Sequence, residues 1–187
     1  PRERDFNLAA KSTAELVALL AHPNKWHRST AVRLLGERRD PAATPALKQL
    51  LARDTGLGAL NALWALHQSA GLDEATAIAA LQHAFAPVRM WTSRLLGDEW
   101  GLNRNLGAGQ HARVSERAQA GNLPAPVYAA LRTQAAQERN AEVLSQFAST
   151  ARRLNAPQAM PLAAAVLGHD DIVADPYIPL LGWWVFE

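Results

Sequence analysis

Cysteine is absent from all 187 residues, so disulfides, zinc thiolates, thiol nucleophiles and c-type haem attachment are excluded within this chain. Neither sign of charge dominates. Nineteen basic residues face seventeen acidic ones, and a net charge of +2 argues against a footprint built for nucleic acid. Nearly all the basic residues are Arg, which pairs well with carboxylates between helices. Val, Ile and Thr are too sparse for a large sheet. No apolar run approaches the roughly 20 residues of a membrane span. The opening Pro1-Arg2-Glu3-Arg4-Asp5 is not a signal peptide. It reads as an internal boundary, and the chain is expected to be a piece of a longer protein. There is no P-loop, dinucleotide fingerprint or nucleophile elbow. Gly107-Ala108-Gly109 is a bare GxG with no strand before it.

What is present is Ala and Leu in a chain that is 49% hydrophobic, a composition that favours helix. The apolar positions repeat. Leu16, Leu19 and Leu20 recur 31 residues later as Leu47, Leu50 and Leu51, and again as Ile78 and Leu81. Between these segments lie WHRSTAVRLLGE, GALNALWALHQS and PVRMWTSRLLGDE, from Trp26, Gly58 and Pro87. Apolar spacings of three and four give each helix one inward stripe. Each unit is therefore a first helix, a turn and a second helix. One such hairpin cannot bury its apolar face alone, whereas stacked hairpins can.

The punctuation agrees. Ser12-Thr13-Ala14-Glu15 is a capping box. Asp40-Pro41 offers an N-cap followed by Pro at the first helical position, and Asp73 caps a third first-helix. Pro23-Asn24 turns the chain between helices. Gly36 and Gly97 are expected at helix ends, where a left-handed residue is wanted. The pattern breaks between about 98 and 124, read as a loop insertion with a weak helix near Val114–Ala120. It resumes with VYAALRTQAAQER, NAEVLSQFASTARRL and PQAMPLAAAVLGH, where Leu131 and Leu162 are again 31 apart. The expected fold is all-α, a right-handed α-solenoid of about five hairpins in a single domain over 1–187. Residues 1–11 would be a linker, 12–97 three hairpins and 125–187 two more, the last truncated.

The unit resembles the HEAT repeat, carried by Val88-Arg89 and by Arg28 with Ala31, Leu34, Leu35 and Gly36. That resemblance implies a fold and leaves the function open. A narrower resemblance is carried by STAELVALLAHPNKWHRSTAVRLLGERRDPAATPALKQLL, LNALWALHQSAGLDEA, VRMWTSRLLGDE, QFASTARRL and DPYIPLLGWWVFE. These strings look like the helical middle region of large planctomycete and verrucomicrobial proteins labelled membrane-bound dehydrogenase or haem-binding. That resemblance implies a sugar-dehydrogenase-like propeller before the helical region and a c-type cytochrome after it. Haem c would then sit in a separate domain, and the location would be periplasmic or at the cell surface. No functional residue of those domains has a counterpart here.

The candidate sites are few. His22, His27, His67, His83, His111 and His169 include no i, i+3 or i, i+4 pair, so no metal ligand set is expected. His22, His83 and His169 sit at first-helix ends, where a donor suits the helix dipole. Asp98-Glu99 and Asp170-Asp171 read as solvated helix ends, and no catalytic residue is expected. Trp64 and Trp91 are expected to pack between hairpins. Adjacent Trp183 and Trp184 cannot both face one stripe. Pro179 to Glu187 is apolar nearly all round, and a further helix or domain is expected to cover it. Arg28, Arg33, Arg89, Arg94, Trp183 and Trp184 form the candidate interaction surface.

The expected function is a non-catalytic scaffold whose partners are neighbouring domains of the parent or another protein. The alternative is a HEAT-like DNA-binding protein or alkylated-base DNA glycosylase, gripping DNA with Trp, Asp and Arg. No local match to that family's catalytic pattern appears, and no specific nucleic acid is expected to bind.

Overall fold

The computed structural model describes residues 7–100, 122–170 and 175–186. All regular structure in these residues is helical, which bears out the all-α reading. In chain order the helices are α1 (Thr13–Ala18), α2 (Lys25–Arg38), α3 (Ala43–Arg53), α4 (Leu57–Gln68), α5 (Glu74–Leu81), α6 (Ala86–Trp100), α7 (Ala125–Gln137), α8 (Ala141–Ala151), α9 (Ala156–Leu167) and α10 (Ile178–Phe186). Short 3-10 turns at Leu8–Ala10 and Leu19–Ala21 precede and extend α1. The helix expected near Val114–Ala120 lies outside the described residues.

Two compact units divide the chain, Pro1–Val88 and Arg89–Glu187. In the first, α1, α3 and α5 pack in succession, and α4 packs on both α2 and α3. Helix α4 is buried on nearly every side, from Gly58 to Leu63 and at Ala65 and Leu66. In the second, α9 packs on α7, α8 and α10, and α8 also packs on α10. The first 3-10 turn belongs to the fold, because Leu8 is buried and the turn packs on α2.

The apolar template explains which side chains face inward. Leu16 and Leu20 are buried in the first hairpin, and Leu47 and Leu51 in the second, at the expected spacing of 31. The third departs from it. Its buried pair is Ala77 and Leu81, and Ile78 is only half-buried. Helix α5 is therefore turned by one residue relative to the template. The 31-residue spacing returns between Leu131 and Leu162, and between Ala135 and Val166. Fully burying one Leu stabilises by roughly 1.5–3 kcal/mol, so these repeated pairs carry much of each hairpin's cohesion.

The capping signals are largely realised. Ser12 and Glu15 form the reciprocal capping box. Asn24 accepts from Trp26 N–H at the start of α2, and Asp73 accepts from Thr76 N–H at the start of α5. Asp40 behaves differently from its expected role. It caps the turn Pro41–Ala42, accepting from Ala42 N–H, and α3 begins only at Ala43.

Gly36 and Gly97 require a larger correction. Both lie inside helices, α2 and α6, and not at their ends. The left-handed residue that closes α2 is Arg39, with φ of 48°. A methyl group on Gly36 would lie 2.7 Å from Gln68 Cβ on α4, and one on Gly97 would lie 3.1 Å from Thr150 Cγ2 on α8. Gly182 in α10 shows the same arrangement against Leu167 of α9. The three Leu-Leu-Gly triplets thus mark where a neighbouring helix comes close. The missing side chain, more than any backbone freedom, is what the position needs.

Candidate interaction surface

Neighbouring hairpins are joined by side chains that satisfy the same backbone group in three of the repeats. Leu20, Leu51 and Ala135 occupy equivalent positions near the end of a first helix, where carbonyls lack intrahelical donors. Asn61 Nδ2 of α4 donates to Leu20 O at 3.0 Å. His83 Nε2 lies 2.9 Å from Leu51 O. His169 Nε2 lies 2.7 Å from Ala135 O. His83 Nδ1 accepts from Phe85 N–H, so its proton sits on Nε2 and points to the carbonyl. The histidines expected at first-helix ends are there. For His83 and His169 the acceptor, however, is the end of the previous hairpin's first helix, not of their own, whereas His22 Nδ1 accepts from Asn24 N–H.

The six candidate surface residues fall in both units, and their surroundings differ. In the first unit, Arg28 Nη1 donates to His22 O and Pro23 O at 2.7 and 2.8 Å, which ties α2 to the turn before it. Arg33 is exposed and pairs with Glu37 one turn on, at 2.5 Å. In the second unit, Arg89 makes a two-pronged pair with Glu138 at 2.6 and 2.8 Å. Its side chain is 14% exposed and that of Glu138 is 2% exposed. Burial opposes ionisation of Glu138. The Arg89 guanidinium and the N–H groups of Asn140 and Arg139 outweigh it and hold the carboxyl down to about 2. Arg94 lies over the Trp91 ring, 5.2 Å from its centroid, and near Asp98 at 3.7 Å. Asp98 also pairs with Arg153.

Trp183 and Trp184 are exposed, at 62% and 48%. Helix α10 buries Ile178 and Gly182, a stripe one residue wide. Tyr177 at 70%, Leu180 and Phe186 join the two tryptophans in an open apolar patch. Arg152 lies over Trp184, 5.6 Å from the ring, and its Nη1 donates to Trp184 O.

Beside this patch runs a groove of about 440 Å³ that no motif or spacing in the chain announces. Its floor is the outer face of α8, with Glu142, Ser145 and Ser149 in line. Met90 of α6 and Tyr177 and Leu181 of the α10 segment give it apolar walls. Asp175 stands at one rim, where its Oδ1 accepts from Tyr177 N–H and Ile178 N–H. Among the described residues, no three His, Cys, Asp or Glu side chains gather closely enough to hold a metal ion. No helix of the described residues is long and apolar enough to cross a membrane.

These helical pairs, with close-packed glycines and carbonyls stapled from one hairpin to the next, are what a helical repeat requires. Residues 13–97 match the family model for HEAT repeats. The matched HEAT region covers α1 to α5 and most of α6. No curated protein matches the chain. The HEAT match over residues 13–97 agrees with the all-helical, α-solenoid type of fold and does not reach the narrower dehydrogenase-like resemblance.

Proposed function

We propose that this HEAT-repeat chain is a non-catalytic scaffold that holds a protein partner against the second unit. We propose further that it serves a multidomain oxidoreductase-like protein whose sugar-dehydrogenase-like propeller and c-type cytochrome lie outside this chain. Any haem c belongs to that cytochrome, because attachment needs cysteines that this chain lacks. The observation that carries the scaffold reading is the patch of Tyr177, Leu180, Trp183, Trp184 and Phe186 standing open on α10. Large apolar side chains gathered on one surface mark contact sites, and Trp and Tyr are the residues that dominate contact energy. The half-buried arginines fit the same reading, since Arg28 and Arg89 are engaged in holding turns and helices together.

The test is a photo-reactive amino acid at position 183 in the natural host, with position 132 on the exposed side of α7 as control. One discrete crosslinked protein is expected at 183 and none at 132. Equal labelling at both positions overturns the scaffold reading. A discrete partner that is neither a propeller nor a cytochrome domain removes the oxidoreductase assignment and leaves the scaffold.

A further inference from the structure

The groove along α8 has a chemistry of its own. Its length is set by α8, where Ser145 and Ser149 lie one turn apart and Glu142 one turn earlier. A step of four helical residues advances about 6 Å. Two residues of an extended chain advance about 6.6 Å, and they point side chains the same way. The polar groups of the floor therefore match an extended segment in both spacing and need. An extended segment brings backbone N–H and C=O groups that must find partners, whereas a helix has satisfied its own. Ser145 and Ser149 offer hydroxyls. Gln146 gives its Nε2 to Thr150, which leaves its carbonyl oxygen as an acceptor.

Among the described residues that line the groove the charge is of one sign: Glu142 and Asp175 are there, and no Lys, Arg or His. Glu142 makes no ion pair or hydrogen bond with any described residue, and Asp175 commits only Oδ1 to the α10 N-terminus. Two carboxylates beside an apolar wall favour a ligand that brings a cation. The wall itself, Met90 with Tyr177 and Leu181, asks for an apolar side chain, and Met adapts its shape to whatever enters.

We infer that this groove takes an extended segment of the partner in which a Lys or Arg alternates with large apolar residues. The cation pairs with Glu142 and Asp175, the apolar side chain enters between Met90 and Tyr177, and the backbone lies along Ser145 and Ser149. The inference rests on the scaffold reading and names the partner chemistry that reading leaves open.

The experiment uses the full chain and a fluorescent hexapeptide of alternating Lys and Leu, followed by anisotropy. A Glu-Leu peptide of equal length and a Lys-Ser peptide serve as counterparts. The Lys-Leu peptide is expected to bind, more weakly in high salt, and the other two to bind at least about 10-fold less well. Ser145→Trp, which fills the groove, should abolish binding. Glu142→Lys, on the exposed first turn of α8, should weaken it by about 5-fold or more. Circular dichroism melts confirm that both variants fold. Equal binding of the Glu-Leu peptide, or undiminished binding by a folded Ser145→Trp chain, overturns the inference. A discrete crosslink at position 183 alongside that result leaves the scaffold standing without this ligand. Loss of both takes the scaffold reading with it.

Discussion

At the scale of single residues, the chain uses its charges mostly as fasteners. The Arg89–Glu138 pair is the clearest case, because both partners are largely removed from water. A buried pair contributes little net stability, yet removing one partner strands the other. Glu138→Gln is therefore expected to lower stability by about 3 kcal/mol, measured by urea unfolding. The pH dependence has a definite sign. The native carboxyl is held at about 2 against an ordinary 4.5, so its contribution is complete above pH 4.5 and fades as the pH falls toward 2. Asp73, held at about 2 by Lys48 and Thr76, adds to the same trend, though its side chain is half exposed and water weakens the effect. Between pH 4.5 and 2 the wild-type midpoint should drop more steeply than that of Glu138→Gln; parallel curves would show that the pair does not govern acid stability. Arg89 could be picked from the sequence as a repeated arginine. Its partner could not, since Glu138 stands 49 residues away beyond the break in the pattern.

At the scale of the helix, the legible part was the inward stripe and its period. Leu16, Leu47, Leu131 and Leu162 are legible as inward-facing because burial at 3.6-residue periodicity leaves a strong trace. Helix ends were less legible, and the glycines show why. A Gly near a helix end reads equally as a left-handed cap or as a close contact, and only the neighbouring helix decides. Here Gln68 of α4 decides for Gly36. Two effects then compete in Gly36→Ala. The helix gains about 1 kcal/mol in propensity, while overpacking costs about 1–3 kcal/mol. The contact is with Gln68 Cβ, which cannot swing aside, so net destabilisation is expected in thermal melts. At Gly182 the crowded atoms are the far end of Leu167, an exposed side chain that can rotate away. Gly182→Ala should be near neutral or slightly stabilising, and a larger loss there than at Gly36 would contradict this account of the triplets.

At the scale of the whole molecule, two compact units each carry their own buried core, the first around α4 and the second around Phe147, Leu144 and Leu162. The apolar patch of α10 is legible in the sequence as a stretch without a polar side. Its neighbouring groove is not, because Met90, Glu142 and Tyr177 come from three segments that share no sequence pattern. An open patch of aromatic residues is also adhesive. The purified chain is expected to associate with itself as its concentration rises in sedimentation velocity. Replacing Leu180 and Trp183 by Ser should remove that behaviour without lowering the melting temperature, and association that persists would place the contact elsewhere. The carbonyls of Leu20, Leu51 and Ala135 bear on a different matter, the way such an array can lengthen over generations. Each takes its donor from the hairpin that follows, 41, 32 and 34 residues downstream. A gene duplication that copies one whole hairpin in phase brings a new acceptor and, with it, a donor for the hairpin before. A copy that starts or stops within a hairpin parts the two and leaves a buried carbonyl unmet. Duplication by whole hairpins is therefore the kind of lengthening that keeps these carbonyls satisfied.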